Sequence, residues 1–506
     1  MLAFTVLFTV GCQPTPEELI VQNKADGELM NAVNAGNTEA PVENAVEGIP
    51  GDDASQNDII EYKTIDRVSF ELELSNGVKL NADADVTVPD SVTMPVLSYK
   101  RKAFSDEFVN VVFYALLGDK PFYEINNVRS KSQIEEQIIQ INFDYDNLDS
   151  PMAIAKGITD LEKLHSLRDE TLNQLYEELI TAPDVVPYVE INRALSDEGY
   201  VLGETPYNSN LMMELKISNT EHGIAVEDNS CIGLSYTLIL KDVYSVAQIV
   251  QYIFMGGDIQ TESMAGLGRG PFVYPANTQP STMTMTPEEA IKIAEEIFHV
   301  MGAGDDAKVS DIYYVEIPQD INFGTDSPIY CYGVVLKRYI NGMPIEIESS
   351  SYKGMEKRAD DTSDQFNAGV PVEEMRVFIS DEGIIDLLWR EPTEVVEIMN
   401  QNVELVSTSD IVEVFKQEFK NAYSYYEVSE SENIPYSLYD IKLNYGLARI
   451  PNQNDLFMAI PLWEFFATIS SAYYNQDGQL IERAFDIDLI TINGIDKSRF
   501  SRQWGY

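Results

Sequence analysis

Alternating apolar and polar positions predict an antiparallel hairpin at 68–88. Phe70 and Leu72 alternate with polar residues, and a second alternating run begins at Val78. A two-residue turn would place the two apolar sets on opposite faces, whereas a three-residue loop over 75–77 places them on one face. The predicted register is therefore Leu74 with Val78, Leu72 with Leu80 and Phe70 with Ala82.

Helical periodicity follows in three segments. The spacing predicts helices over 105–117, 132–143 and 153–180, the last carrying leucines three and four residues apart. Such a stripe is typical of a surface that faces a protein core. Strands are expected at 211–217 and 231–240, and a segment rich in Gly, Pro and Thr over 256–285 indicates a linker.

The next segment has an unusually clear helix start. Thr286, a following Pro and Glu289 form a capping-box pattern, and Gly302 marks the end of the helix. Strands are predicted at 311–317 and 329–340. Asn341-Gly342 fits a two-residue turn that sets Ile340 against Met343, Lys337 against Glu346 and Leu336 against Ile347. Further strands are expected at 375–380 and 384–389.

The same order then recurs towards the end of the chain. Ser407 begins a helix with an apolar face, and strands are predicted at 437–448, 457–466, 472–474 and 480–492. A helix followed by an antiparallel meander, twice, indicates an α+β fold. We therefore expect a mixed hairpin-plus-helices domain over 62–255, the linker 256–285, and two helix-on-sheet units over 286–400 and 401–506.

These two units resemble a known family. TPEEAIKIAEE (286–296), YINGMPIEIE (339–348), AIPLWEFF (459–466) and LITINGID (489–496) are similar to the PepSY domain and its YycH/YycI-like relatives. The first region, with its GCQPTPEE start, resembles an uncharacterised family of Gram-positive lipoproteins. The resemblance implies an exported accessory or regulatory protein, and it supplies no catalytic residue.

Charge narrows the class of partner. The 506 residues include 44% apolar and 23% charged residues, ordinary values for a folded protein, yet the formal net charge is −49. A field of that sign repels phosphate backbones, so nucleic acid is excluded as an expected partner.

The N-terminus indicates lipid anchoring. The apolar run over 2–10 suits a secretory signal peptide, 1–11, and Gly11-Cys12 follows it at once. This resembles a bacterial lipobox, which implies cleavage before Cys12 and lipid attachment there. The alternative is a buried N-terminal strand. Residues 12–61 are acidic and lack aromatic side chains up to Glu61, so we expect a disordered tether.

The sequence carries few signs of catalytic chemistry. His165 and Asp169 lie four residues apart on a predicted helix, where a solvated face is expected rather than a metal site. His222, Asp228 and Ser230 are close in sequence, but a triad is recognised by geometry. The segment 144–149 resembles an incomplete calcium loop, and 266–270 a phosphate loop without its Lys. Cys231 and Cys331 lie in strand-like runs. They are expected to be buried thiols, and the alternative is a disulfide between them.

Two functions remain open. The first is a non-enzymatic, lipid-anchored binding or regulatory module without a cofactor or metal, which contacts an envelope protein, peptide or wall polymer through sheet edges and exposed Tyr. The second is an extracytoplasmic hydrolase of wall or environmental polysaccharide that uses paired carboxylates, because 83 acidic residues allow many such pairs.

Overall fold

A computed structural model describes most of the chain. It covers residues 28–34, 65–88, 93–125, 128–148, 157–196, 199–207, 212–219, 233–239, 272–277, 283–317, 328–346, 370–371, 373–424, 435–450, 453–474 and 480–501, together with 150, 153 and 505. The predicted signal peptide, Cys12 and most of the predicted linker lie outside the described residues.

The fold is α+β and strand-rich, with two β-sheets. Sheet I has eight strands in the order β1-β2-β14-β15-β16-β17, and β3 pairs with both β15 and β13. Its strands are β1 (Arg67–Glu73), β2 (Lys79–Thr87), β3 (Val96–Arg101), β13 (Thr393–Asn400), β14 (Pro435–Ile450), β15 (Gln453–Tyr474), β16 (Leu480–Asn493) and β17 (Arg499–Phe500).

Sheet II has nine strands in the order β4-β5-β6-β12-β11-β9-β8-β7, with β10 paired to β9. These strands are β4 (Tyr200–Pro206), β5 (Met212–Ser218), β6 (Gly233–Ile239), β7 (Phe272–Pro275), β8 (Ala307–Ile317), β9 (Ile329–Ile340), β10 (Met343–Pro344), β11 (Glu374–Ser380) and β12 (Gly383–Arg390).

Six α-helices are described. They are α1 (Glu28–Asn34), α2 (Asp106–Val112), α3 (Lys131–Asp144), α4 (Leu161–Thr181), α5 (Pro287–Val300) and α6 (Thr408–Tyr423). A π-helical turn, Phe113–Leu117, continues α2.

Aromatic side chains join the helices to the sheets. On sheet I, the Phe415 ring of α6 stacks on Phe465 with ring centres 4.0 Å apart. On sheet II, Trp389 is fully buried, and the rings of Phe298 from α5 and Phe108 from α2 each meet its edge or face at 5.9 Å. Each sheet therefore has its own hydrophobic core.

The local predictions are confirmed where turns and caps determine the structure. Leu72 pairs with Leu80 in the first hairpin, in the register that the three-residue loop predicts. The capping box at Thr286 is complete. Ile340 pairs with Met343 across Asn341-Gly342, and both turn residues have the positive φ that this turn requires.

Two predicted elements have different bounds. The helix expected from residue 153 begins only at Leu161, because Gly157 has φ +60° and Asp160 caps the helix. The strands expected at 457–466 and 472–474 are one strand, β15, which pairs with β14 and β16 along its length.

Each sheet combines strands from distant parts of the chain, unlike the sequential units expected from the sequence. β1 to β3 of the region 62–255 lie in sheet I, whereas β4 to β6 lie in sheet II. β13, at the end of the expected unit 286–400, pairs with β3 in sheet I. The pairings β2–β14 and β6–β12 cause this difference.

Part of the expected tether is ordered against sheet I. α1 lies within 12–61, and its Val33 is fully buried in the core of that sheet. The Asn400 side chain of β13 donates a hydrogen bond to the Val33 carbonyl, 2.7 Å away. The expectation of a disordered tether is therefore wrong at α1.

Candidate interaction surface

An antiparallel helix pair leaves the edge of sheet II, and we call residues 128–190 the helical arm. α3 begins at a capping box in which Ser130 and Gln133 bond each other's backbone groups. α4 begins at Asp160, whose side chain accepts a hydrogen bond from the Glu162 N–H. Polar caps in the sequence thus mark the start of both helices.

The arm has a small core of its own. Ile134 and Ile138 of α3 are buried with Leu175 of α4. Further along the pair, Tyr145 is buried with Leu164. Both clusters consist of arm residues, so the two helices stabilise each other by packing their apolar stripes together.

Backbone hydrogen bonds hold the base of the arm at the edge strand β4. The Tyr123 N–H donates to the Glu204 carbonyl at 2.7 Å, and the Glu124 N–H donates to the Val189 carbonyl at 2.8 Å. Arg129 then forms an ion pair with Glu178 that ties the start of α3 to the end of α4. The arm is fixed at this end.

Large apolar side chains on the arm remain in contact with solvent. Ile139 and Phe143 of α3 are 70% and 69% exposed, and Tyr176 and Ile180 of α4 are 49% and 80% exposed. Each pair is four residues apart, so the two exposed side chains of each pair share one face of their helix. Val185, after α4, is 77% exposed. Large apolar side chains that stay exposed in such groups mark candidate interaction sites.

The surroundings of these exposed pairs are acidic. Residues 128–190 contain 13 Asp and Glu against five Lys and Arg. A shallow groove along α4 is lined by polar and acidic side chains, namely Glu162, His165, Ser166, Asp169, Glu170, Asn173, Gln174 and Glu177. The arm thus combines exposed apolar residues with a strong negative field.

Some of the residues considered in the sequence lie on the arm, and their contacts are simple. The His165 ring nitrogen Nε2 is 3.3 Å from the Asp146 carbonyl. Asp169 forms an ion pair with Arg168. Asp144 accepts a hydrogen bond from Gln140. Within the described part of the chain, no cluster of three or more His, Cys, Asp or Glu is arranged to hold a metal ion.

The other candidates are dispersed or fall outside the described residues. His222, Asp228, Ser230, Cys231 and 266–270 belong to the latter. Cys331 is fully buried in β9, and burial raises the pKa of its thiol. Among the described residues, no helix is long and apolar enough to cross a membrane.

Comparisons with known proteins give a structural neighbour without a known role. No family model and no curated protein matches this chain. The crystal structure of an uncharacterized protein from Eubacterium rectale is similar with a TM-score of 0.37 and 10% sequence identity. The match covers 86% of this chain and 96% of that chain.

A buried charge cluster lies where the two sheets meet, and we call it the Arg338 junction. Arg338 of β9 forms a bidentate ion pair with Glu373, at 2.9 and 3.0 Å, and contacts Asp306 at 2.8 Å. It also donates to the Thr393 carbonyl of β13, at 2.8 Å. Glu373 accepts a further hydrogen bond from the Trp389 indole N–H, at 2.9 Å. The junction therefore links strands of both sheets.

The electrostatics of the junction follow from its burial. Arg338, Asp306 and Glu373 are all buried. Desolvation raises the pKa of Asp306, although the nearby guanidinium of Arg338 opposes this shift. Desolvation also lowers the pKa of Lys102, which donates to the Gly302 carbonyl beside the junction. The cluster is enclosed, which suits a structural role rather than contact with a substrate.

A second polar set crosses one face of sheet II. Glu204, Glu214, Thr237 and Asp386 lie directly opposite one another on β4, β5, β6 and β12. Opposed residues in antiparallel strands share a face, so these side chains form a row. Asp386 is 1% exposed and lies 3.8 Å from the Arg376 guanidinium. Burial raises the pKa of Asp386 to about 6.

Sequence reasoning did not identify the arm as the candidate surface. The buried leucine stripe of α4 dominates its pattern and indicates only a core-facing helix. A signal was present in the second pair of apolar residues on each helix, Ile139 with Phe143 and Tyr176 with Ile180, which lie off the buried stripe. The junction residues carry no local signal, because distant strands bring them together.

Proposed function

We propose that this protein is an extracytoplasmic, lipid-anchored binding module that contacts an envelope protein through its helical arm. The observation that carries the proposal is the pair of exposed apolar stripes on a helix pair with its own core. Exposed residues such as Ile180 and Phe143 add nothing to folding while they face water. Their burial against a partner removes that apolar surface from water.

The anchor and the family relationship belong to the same proposal. Cys12 is the lipid attachment site, supported by the apolar run before it and the acidic segment after it. We infer a PepSY-like relationship for the two C-terminal units. It is supported by α5 followed by β8 to β12, and by α6 followed by β14 to β17, in each case a helix before an antiparallel meander.

Photo-cross-linking from the arm tests the binding function. With a photoreactive residue at position 180, we expect a specific protein adduct in intact cells, because this side chain is 80% exposed on the proposed surface. Tyr176→Ser, placed in the same chain, should lower the yield of that adduct several-fold, because Tyr176 lies on the same face of α4 as Ile180. The measurement is mass spectrometry of the adduct.

Tyr439 provides the matched control position. It is 41% exposed on β14 of sheet I, far from the arm in the chain. A photoreactive residue there should not give the same adduct. An absence of any specific adduct from position 180, or turnover of a polysaccharide by the purified protein, would contradict the proposed function.

The anchor makes a separate prediction. The variant Cys12→Ser removes the sulfur that would carry the lipid, so we expect the protein to move from the membrane fraction to the medium or soluble fraction. Stable anchoring requires more than one acyl chain, and the lipidated Cys would supply them. Fractionation followed by immunoblotting measures the change, and an unchanged membrane fraction would argue against this anchor.

A further inference from the structure

The charge of the arm identifies the kind of partner that it fits. Several exposed carboxylates of α3 and α4 form no ion pair with any residue that the structure describes: Glu135, Glu136, Glu162, Glu170 and Glu177. Three basic residues of the arm, by contrast, already form ion pairs with carboxylates of the arm: Arg129, Lys131 and Arg168. The surface therefore offers unneutralised negative charge next to exposed apolar side chains.

We propose that the helical arm binds a basic amphipathic helix of a partner protein, an inference that rests on the proposed function. Apolar residues of that helix would cover stripes such as Tyr176 with Ile180. Lys or Arg residues on its flanks would pair with carboxylates such as Glu135 and Glu177. Helix-in-groove recognition uses anchors at this three- and four-residue spacing.

The dimensions of the arm suit such a partner. α4 has 21 residues, which at about 1.5 Å per residue gives a length of about 30 Å. A partner helix of roughly 18 residues would be about 27 Å long, close to the length of α4. The net charge of −49 also opposes two alternatives, since a second copy of this chain and an anionic membrane both repel it.

Synthetic peptides test this inference directly. The chain from Gln13 onward retains every residue that the structure describes. It is titrated with three 18-residue peptides: an amphipathic Leu/Lys helix, the same pattern in Leu/Glu, and a scrambled Leu/Lys peptide of identical composition. We expect the amphipathic basic peptide to bind about tenfold or more tightly than either control, with an affinity that weakens as salt increases.

Variants locate the binding site. The double variant Tyr176→Ser with Ile180→Ser should weaken binding about tenfold, because it removes two exposed anchors without disturbing the buried core of the arm. Glu135→Gln with Glu177→Gln should reduce the salt dependence. Tyr439→Ser, an exposed aromatic on sheet I, should leave the affinity within about twofold.

The outcomes separate this inference from the proposed function. Equal binding of the scrambled peptide, preference for the Leu/Glu peptide, or affinity unchanged by the arm variants overturns the inference. Concentration-dependent dimerisation, or binding to phosphatidylcholine vesicles, also overturns the inference if the arm variants abolish that dimerisation or binding. An adduct from position 180 in cells would still support the proposed function in those cases. If that adduct is absent as well, both fail.

Discussion

Replacing Arg338 by Ala is expected to destabilise the fold by about 3–5 kcal/mol, the range for removal of one partner from a buried ion pair. The substitution leaves Glu373 and Asp306 buried without the guanidinium that neutralises them. It also removes the hydrogen bond that Arg338 of sheet II gives to the Thr393 carbonyl of sheet I. Denaturant unfolding at pH 8 measures the loss.

The pH dependence of that loss has a definite sign. Arg338 opposes the effect of desolvation on Asp306, so without Arg338 the pKa of this buried carboxyl rises further and it takes up a proton as the pH falls. A raised pKa in the folded state contributes stability that is present at low pH and is lost as the pH rises. We therefore expect Arg338→Ala to cost less stability at pH 5 than at pH 8.

Arg67 provides a matched control for the effect of burial. It also bonds two carboxylates, Asp83 and Asp85, but its side chain is 56% exposed. Solvent screens such a pair, so Arg67→Ala should change stability little. A loss below about 1 kcal/mol for Arg338→Ala would show that the junction does not hold the two sheets together.

Local sequence patterns predicted the elements that depend on neighbouring residues. The pairing of Leu72 with Leu80 was predictable because a three-residue loop places Gly77 at the position with a φ of +91°, which glycine adopts readily. The start of α5 at Thr286 followed from the capping box. Both involve residues within a few positions of one another, so the necessary information lies in one short segment of sequence.

Local sequence patterns did not predict how the strands are arranged in the two sheets. β2 pairs in parallel with β14, and β6 pairs with β12, across long stretches of chain. Alternation of apolar and polar residues tells which face of a strand is buried but does not name its partner strand. The Arg338 junction depends on these pairings, since Thr393 and Glu373 reach Arg338 only after the sheets form.

The proposed interaction surface was predictable from the sequence only in part. The helices of the arm were predicted in type, although α4 begins at Leu161 and not at residue 153. Exposure of Ile180 was not predicted, because whether a second apolar stripe is covered depends on what packs against it. The buried position of α1 was missed for the opposite reason, since a segment of low hydrophobicity still places Val33 in a core.

Asp386 is expected to make a large contribution to the pH dependence of the stability of the wild type. It is 1% exposed in sheet II, and burial raises its pKa from 3.8 to about 6, with the nearby Arg376 opposing the shift. The folded state therefore binds this proton more tightly than the unfolded chain does. The resulting stability is fully present below about pH 4 and is lost as the pH rises through about 6.

Replacing Asp386 by Asn should remove that pH dependence. One pKa unit corresponds to about 1.4 kcal/mol, so the unfolding free energy of the wild type minus that of Asp386→Asn should fall by roughly 2 to 2.5 kcal/mol between pH 4 and pH 7.5. In the variant, Arg376 loses its contact with the carboxylate of residue 386 at every pH but keeps its ion pair with Glu374 at 2.7 Å. This loss therefore changes the wild-type minus variant difference by a constant amount and leaves its pH dependence unchanged.

Asp83 gives the comparison of opposite sign. Its pKa is lowered by the hydrogen bond from Arg67, so its contribution is present at neutral pH and is lost as the pH falls. Because Asp83 is exposed, the effect of Asp83→Asn should be small. Denaturant unfolding of the wild type and both variants across this pH range measures the differences. A wild-type minus Asp386→Asn difference that stays constant would mean that Asp386 remains ionised in the folded protein, stabilised by Arg376 despite its burial.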